Sequence, residues 1–217
     1  MMGSPKEEIG RRSDEVLHKV TITKVFWLAD TACTQALWEA VMGDNPSRFK
    51  GSDRPVENVR WHDIQEFLRI VNADKRYIKF RLPTEAEWEY ACRAGTTGPF
   101  SFGDNITTDQ VNYNGNYPYV DDVEGIYRKE TVRVKSLPCN EWGLYQMHGN
   151  VWEWCSDRYG DYTGEAVVDP KGPQRGGGRI LRGGSWFDDA WLVRCACRYD
   201  LSPASRGNII GFRLAIS

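Results

Sequence analysis

The sequence predicts a loop-rich α+β domain with about three helices and short strands. Three observations carry that reading: amphipathic stretches in the N-terminal half, short apolar runs punctuated by glycine in the C-terminal half, and nine tryptophans spread along the chain. The 217 residues suffice for one sizeable core, and 41% apolar, 12% aromatic and 27% charged residues describe a globular chain. No repeat or low-complexity linker divides it, so residues 1–217 are read as one domain.

From Val20 to Leu28 the run VTITKVFWL is rich in β-branched and aromatic residues and predicts a strand. A first helix is expected over about Thr31–Met42, with Leu37, Trp38 and Val41 on one face and a stop at Gly43. A second is expected over about His62–Asn72, carrying Ile64, Phe67, Leu68 and Val71 at helical spacing. A third starts where Thr84 precedes Glu87 by the spacing of a capping box and ends near Gly95. The stretch from there to about Val134 is rich in Gly, Asn, Asp and Tyr and reads as a long loop region. Beyond it, Val151–Cys155, Arg179–Trp186 and Ile210–Ile216 read as short strands. Trp61, Trp88, Trp142, Trp152, Trp154 and Trp186 are expected as aromatic anchors, mostly buried. Arg81, Glu85, Glu87 and Arg93 read as a structural charge network around the third helix.

A net charge of -2, with no basic block or acidic tail, gives no electrostatic case for nucleic acid or an anionic membrane. No apolar stretch of about 18 residues is present, and the N-terminal MMGSPKEEIGRRSDE lacks the apolar stretch of a secretory signal. The chain as encoded is expected to be cytoplasmic, with no membrane span. Six scattered cysteines read as mostly reduced thiols.

The segments MGSP, MGDNPSRFKG, RPVENVRWHD, FRLPTEAEWEYACRAGT, GLYQMHGNVWEWCSD, ILRGGSW and IGFRLA, in this order, make the chain resemble the formylglycine-generating-enzyme (sulfatase-modifying factor) family from Met2 to Ser217. The resemblance implies a C-type-lectin-like fold of the formylglycine-generating-enzyme type, with short antiparallel strands and packed loops. Catalytic members use two cysteines after the RGGS motif to bind copper and activate oxygen; those positions fall here on Asp188 and approximately Val193. The expectation is therefore a non-catalytic chain without copper. Cys195 and Cys197 remain as a thiol pair, open either to a soft metal or to one structural and one incidental role. The iron-dependent sulfoxide synthases of the same family need several histidine ligands, whereas His18, His62 and His148 form no ligand-spaced pair.

Between Trp186 and Ile210 the sequence WFDDAWLVRCACRYDLSPASRGNII keeps family letters at Trp186, Ala190, Arg194, Ala196, Arg198, Pro203, Arg206 and Ile210. The intervening positions are Phe187, Asp188, Asp189, Leu192, Cys197, Tyr199, Asp200, Leu201, Ala204, Ser205, Gly207, Asn208 and Ile209. In ordinary members this segment is commonly rich in Asn. Retroelements that mutate template adenines convert an Asn codon ending in a pyrimidine to any residue of this set, but not to Trp, so Trp191 requires another template codon. The resemblance thus extends to retroelement-diversified variable proteins, in which these positions form a ligand-binding face for a protein or small molecule. Two alternatives stay open: a copper-dependent, oxygen-using cysteine oxidase, and an undiversified structural or regulatory member. Leu192 and Ile209 are also open to a core role.

The family often binds structural calcium. The resemblance carries one ligand set onto Gln146, Gly149, Val151 and Glu153, and the start of a second onto Asn112 and Tyr113, with its remainder near Asp122 to Ile126. For Glu153 the alternative is a buried salt bridge.

Overall fold

The computed structural model describes residues 1–73, 78–120 and 123–216. In chain order the elements are β1 (Val20–Thr21), β2 (Trp27–Leu28), α1 (Gln35–Met42), α2 (Trp61–Val71), β3 (Phe80–Arg81), α3 (Glu85–Arg93), β4 (Trp152–Arg158), β5 (Val167–Val168), β6 (Arg179–Arg182), a 3-10 turn (Ala190–Val193), β7 (Arg198–Leu201), β8 (Ile210–Phe212) and β9 (Ala215–Ile216). The three helices occur where the sequence patterns place them. Thr34 Oγ1 accepts from the Leu37 amide to start α1, and Gly43, at φ 79°, ends it in the left-handed conformation that favours glycine. At α3 the expected capping box forms: Glu87 N donates to Thr84 Oγ1 at 3.2 Å, and Thr84 N donates to Glu87 Oε2 at 2.8 Å.

The main sheet runs β7-β6-β4-β8. β8 is parallel to β4, and the other two pairings are antiparallel. Alternation along the strands sends Trp152, Trp154, Leu181, Ile210 and Phe212 into one core with α1 and α2, where Trp38 stacks on Phe67 at 5.4 Å. The opposite face buries Cys155 and Ile180 against Trp88, Ala91 and Cys92 of α3. A third cluster lies within the long loop region, where Phe100, Ile106, Val111, Tyr113 and Tyr119 pack on Ala190 and Val193 of the 3-10 turn. The loops are therefore ordered by a core of their own.

Two expectations are corrected. The run Val20–Leu28 is not one strand: β1 pairs in parallel with β5, whereas β2 pairs with β9. Its apolar residues do not share a buried face, since Val25 and Trp27 are 84% and 72% exposed. Trp142 is half exposed rather than core, because it lies in a turn held by Asn140, whose Oδ1 accepts from the Trp142 and Leu144 amides. Trp88, Trp152, Trp154 and Trp186 are buried. Among the described residues no helix is long and apolar enough to cross a membrane.

Candidate binding surface

The segment after β6 leaves the sheet at Gly183 and Gly184, both with positive φ. A Cβ at Gly183 would stand 3.0 Å from the Trp88 ring and from the Met147 carbonyl oxygen, so only glycine permits the close turn. From Trp186 onward, inward and outward residues separate. Trp186, Ala190, Arg194, Ala196, Arg198 and Ile210 are buried, whereas Pro203 and Arg206, also family letters, are not.

Ion pairs fix the inward side. Arg194 places both terminal nitrogens on Glu15, at 2.8 Å each, with Nη1 also 2.6 Å from Glu8. Arg198 is bidentate on Glu85, at 2.7 and 2.9 Å, with its guanidinium 3.6 Å from the Tyr162 ring centroid. Arg182 pairs with Glu89 and donates to the carbonyls of Cys195, Ala196 and Cys197. The charge network expected around α3 is therefore present but larger: Arg81 pairs with Glu87, Arg93 with Glu89, and Glu85 reaches across to β7. Glu8 and Glu15, on the N-terminal strap, were missed by sequence reasoning. Buried arginines in the segment require acidic partners, and the run EEIGRRSDE was the available signal.

On the outward side Phe187 and Tyr199 are 57% and 42% exposed, and Trp191, outside the candidate set, is 43% exposed. Ala204 is exposed; Asp189, Ser205, Gly207 and Asn208 are half-buried. Leu192, Leu201 and Ile209 are half-buried against the core under α1 and α2, so they serve that core and the surface together. Asp188 is half-buried, with Oδ2 accepting from Trp152 Nε1 at 2.8 Å and from Ser185 Oγ. Burial pushes its carboxyl above the ordinary range, against these bonds and one more from the Ser185 backbone. Two positions depart from a common outward face. Cys197 is fully buried, because the backbone turns at 194–197 and points its thiol into the core. Asp200 sits across the ladder from Ile180 and against Gly178, on the opposite side of β7 from Tyr199.

An aromatic row continues the surface onto scaffold residues that sequence reasoning did not select. Tyr127 stacks on Trp186 at 6.2 Å, Phe49 meets Trp186 edge-on at 5.5 Å, and Tyr199 packs on Trp152 at 5.5 Å.

The thiols are arranged differently from the sequence expectation. The turn at 194–197 separates Cys195 from Cys197, and the two thiols lie in different core clusters rather than together as a pair. Cys195 instead meets Cys92, with Sγ atoms 3.6 Å apart, and His148 joins them within 4.8 Å. Both imidazole nitrogens are engaged: Nδ1 with the Val193 carbonyl at 2.7 Å, and Nε2 with the Ser101 amide at 3.1 Å. All three residues are buried, which withholds them from a peptide substrate. Val193, expected to lie approximately at the second catalytic position, is fully buried in the loop-region core.

The first calcium set does not fit. Glu153 Oε1 and Oε2 each accept from Arg213 at 2.9 Å, and Oε2 also accepts from Trp88 Nε1, so a guanidinium occupies the carboxylate. Gln146 uses its side chain on Arg133 and Lys135 backbone atoms, and Gly149 and Val151 flank the turn into β4. At the second set, Asn112 Nδ2 donates to Glu130 and Asn150, whereas the buried Asn112 Oδ1 has no partner among the described residues. Tyr113 is buried beside it, and Asp122 lies outside the described residues.

Comparison with known proteins agrees with the fold. The chain is 35% identical to the formylglycine-generating enzyme of Streptomyces coelicolor, over 94% of this chain and 68% of that one. It is 33% identical to the Bos taurus enzyme, of whose length the match covers 48%. The chain thus spans about half to two thirds of these relatives. Among solved structures, Treponema denticola variable protein 1 superposes with a TM-score of 0.84 at 31% identity, covering 99% of this chain and 90% of that one. Residues 2–217 match the sulfatase-modifying factor enzyme 1-like domain, and the chain belongs to that family.

Proposed function

We propose that this chain is a non-catalytic ligand-binding protein whose outward positions in residues 187–209 form a surface diversified by a retroelement. The observation that carries the reading is the separation of roles within one segment: buried arginines and small residues hold the backbone, while Phe187 and Tyr199 project into solvent. A backbone held from behind tolerates exchange of what it displays. The 31% identity to a protein termed variable over 99% of this chain supports the same reading. Asp188 and Val193 at the catalytic cysteine positions support the absence of oxidase chemistry. The test is the neighbourhood of the gene: a reverse transcriptase and a near-identical template copy of the segment, rich in Asn codons, are expected close by.

A second reading, a copper-dependent oxidase, draws on the 35% identity to a formylglycine-generating enzyme. Its test is copper-dependent oxygen uptake with a cysteine-containing peptide; no uptake above the protein-free control is the expected result. Of the calcium expectation, the Asn112 and Tyr113 pair is retained as a proposal on the unpartnered Asn112 Oδ1. Calcium is expected to raise the melting temperature relative to a chelator, and Asn112→Ala to remove that increment.

A further inference from the structure

Asp188 is an acid in an aromatic surrounding, with a second acid, Asp189, next to it. The Asp188 carboxylate accepts from Trp152 Nε1 and Ser185 Oγ at Oδ2 and is bonded by the Ser185 backbone as well, and no Lys or Arg within ion-pair distance of it is found among the described residues. Phe187 precedes it and meets the Trp186 ring at 5.6 Å; Tyr199 covers Trp152 at 5.5 Å; Tyr127 stacks on Trp186. Burial raises the Tyr127 hydroxyl, and the Asp188 charge adds to that rise, so the two groups lie within electrostatic reach. At one end of the row the chain's own ammonium, Lys129 Nζ, lies 5.6 Å from the Tyr127 centroid, within cation–π range.

Resting on the reading of this face as a binding surface, we infer that Phe187, Tyr199 and Tyr127, backed by the buried rings of Trp152 and Trp186 and with Asp188 among them, recognise an alkylammonium group on the ligand. The choice follows from what each ligand class does to Asp188. An anion meets an uncompensated carboxylate, and a neutral apolar group strips water from that charge without a replacement. An alkylammonium supplies the missing positive charge and presents polarised methyl or methylene groups to the ring faces. A hard divalent cation needs six or more oxygens, which this one carboxylate does not provide.

The test uses the intact chain and two probes of equal shape: choline, and 3,3-dimethylbutan-1-ol, its uncharged carbon isostere. Binding is followed by the Trp152 indole N–H signal in proton–nitrogen spectra. Choline is expected to move that signal and to bind at least about tenfold more tightly than the alcohol, a difference of about 1.4 kcal/mol. Asp188→Asn, which retains an acceptor for Trp152, is expected to abolish the preference. Tyr199→Ala, at an exposed position that leaves the fold intact, is expected to weaken choline several-fold. Equal affinity for the two probes, an unmoved indole signal, or a choline preference that survives Asp188→Asn overturns the inference. Such a failure leaves the diversified-surface reading standing, because that reading is tested on the gene; an invariant locus with a retained choline preference does the reverse.

Discussion

Within residues 186–210 two sets of side chains share one backbone under opposite constraints. Arg194 and Arg198 point inward, fully buried, each bidentate on a glutamate from a distant part of the chain. Phe187 and Tyr199 point outward, with neighbours on one side only. Exchange of an inward residue strands a buried charge, whereas exchange of an outward one removes partial ring contacts. A loop can therefore be rigid in path and free in content when its fixing interactions all lie behind it.

The comparison breaks most sharply at Arg194. Arg194→Met removes the guanidinium that pairs with the buried Glu8 and Glu15 carboxylates, and a loss of about 3–5 kcal/mol is expected by urea denaturation. Cys197 comes next. Because its thiol is in the core, Cys197→Ser buries a hydroxyl and is expected to cost roughly 1–3 kcal/mol, whereas a surface thiol would change little.

pH separates the scaffold from the surface in another way. Asp157 Oδ2 accepts from the Glu85 amide and Ser156 Oγ, and burial, reinforced by the Glu85 charge, pushes its carboxyl up to about 7. Its value in the unfolded chain is about 4, so the folded protein binds the extra proton between those limits. Stability is expected to fall as pH rises from about 4 to about 7, by at most about 1.4 kcal/mol per pH unit from this group. Asp157→Asn should flatten that part of the profile, read as the difference between variant and parent, because Asp188 and Asp189 also have raised carboxyls. The smallest effects belong to the surface: Phe187→Ala and Tyr199→Ala are each expected to stay within about 0.5–1 kcal/mol by the same denaturation measurement.

Local signals made the helices legible. Thr84 with Glu87 and the Gly43 stop are near-neighbour patterns whose physics is complete within a few residues. The run at Val20–Leu28 misled because strand formation depends on partners, and its two ends find theirs in β5 and β9, far along the chain. At the candidate surface, motif order distinguished Arg194 and Arg198 as scaffold, but the Glu8 and Glu15 partners lie 186 and 179 residues away, and no periodicity records such a pairing. Cys197 was placed outward because it falls between the family letters Ala196 and Arg198, whereas the chain turns at 194–197 and buries its thiol. Phe49 and Tyr127 were invisible as surface residues because only the fold brings their loops to Trp186.

The most direct test is sequencing of this locus across many isolates or cultured generations. Differences are expected to concentrate in residues 187–209, at codons whose template holds adenine, and to spare Arg194, Ala196 and Arg198. Sparse differences spread evenly along the gene would contradict that expectation and leave an undiversified structural or regulatory member of the family.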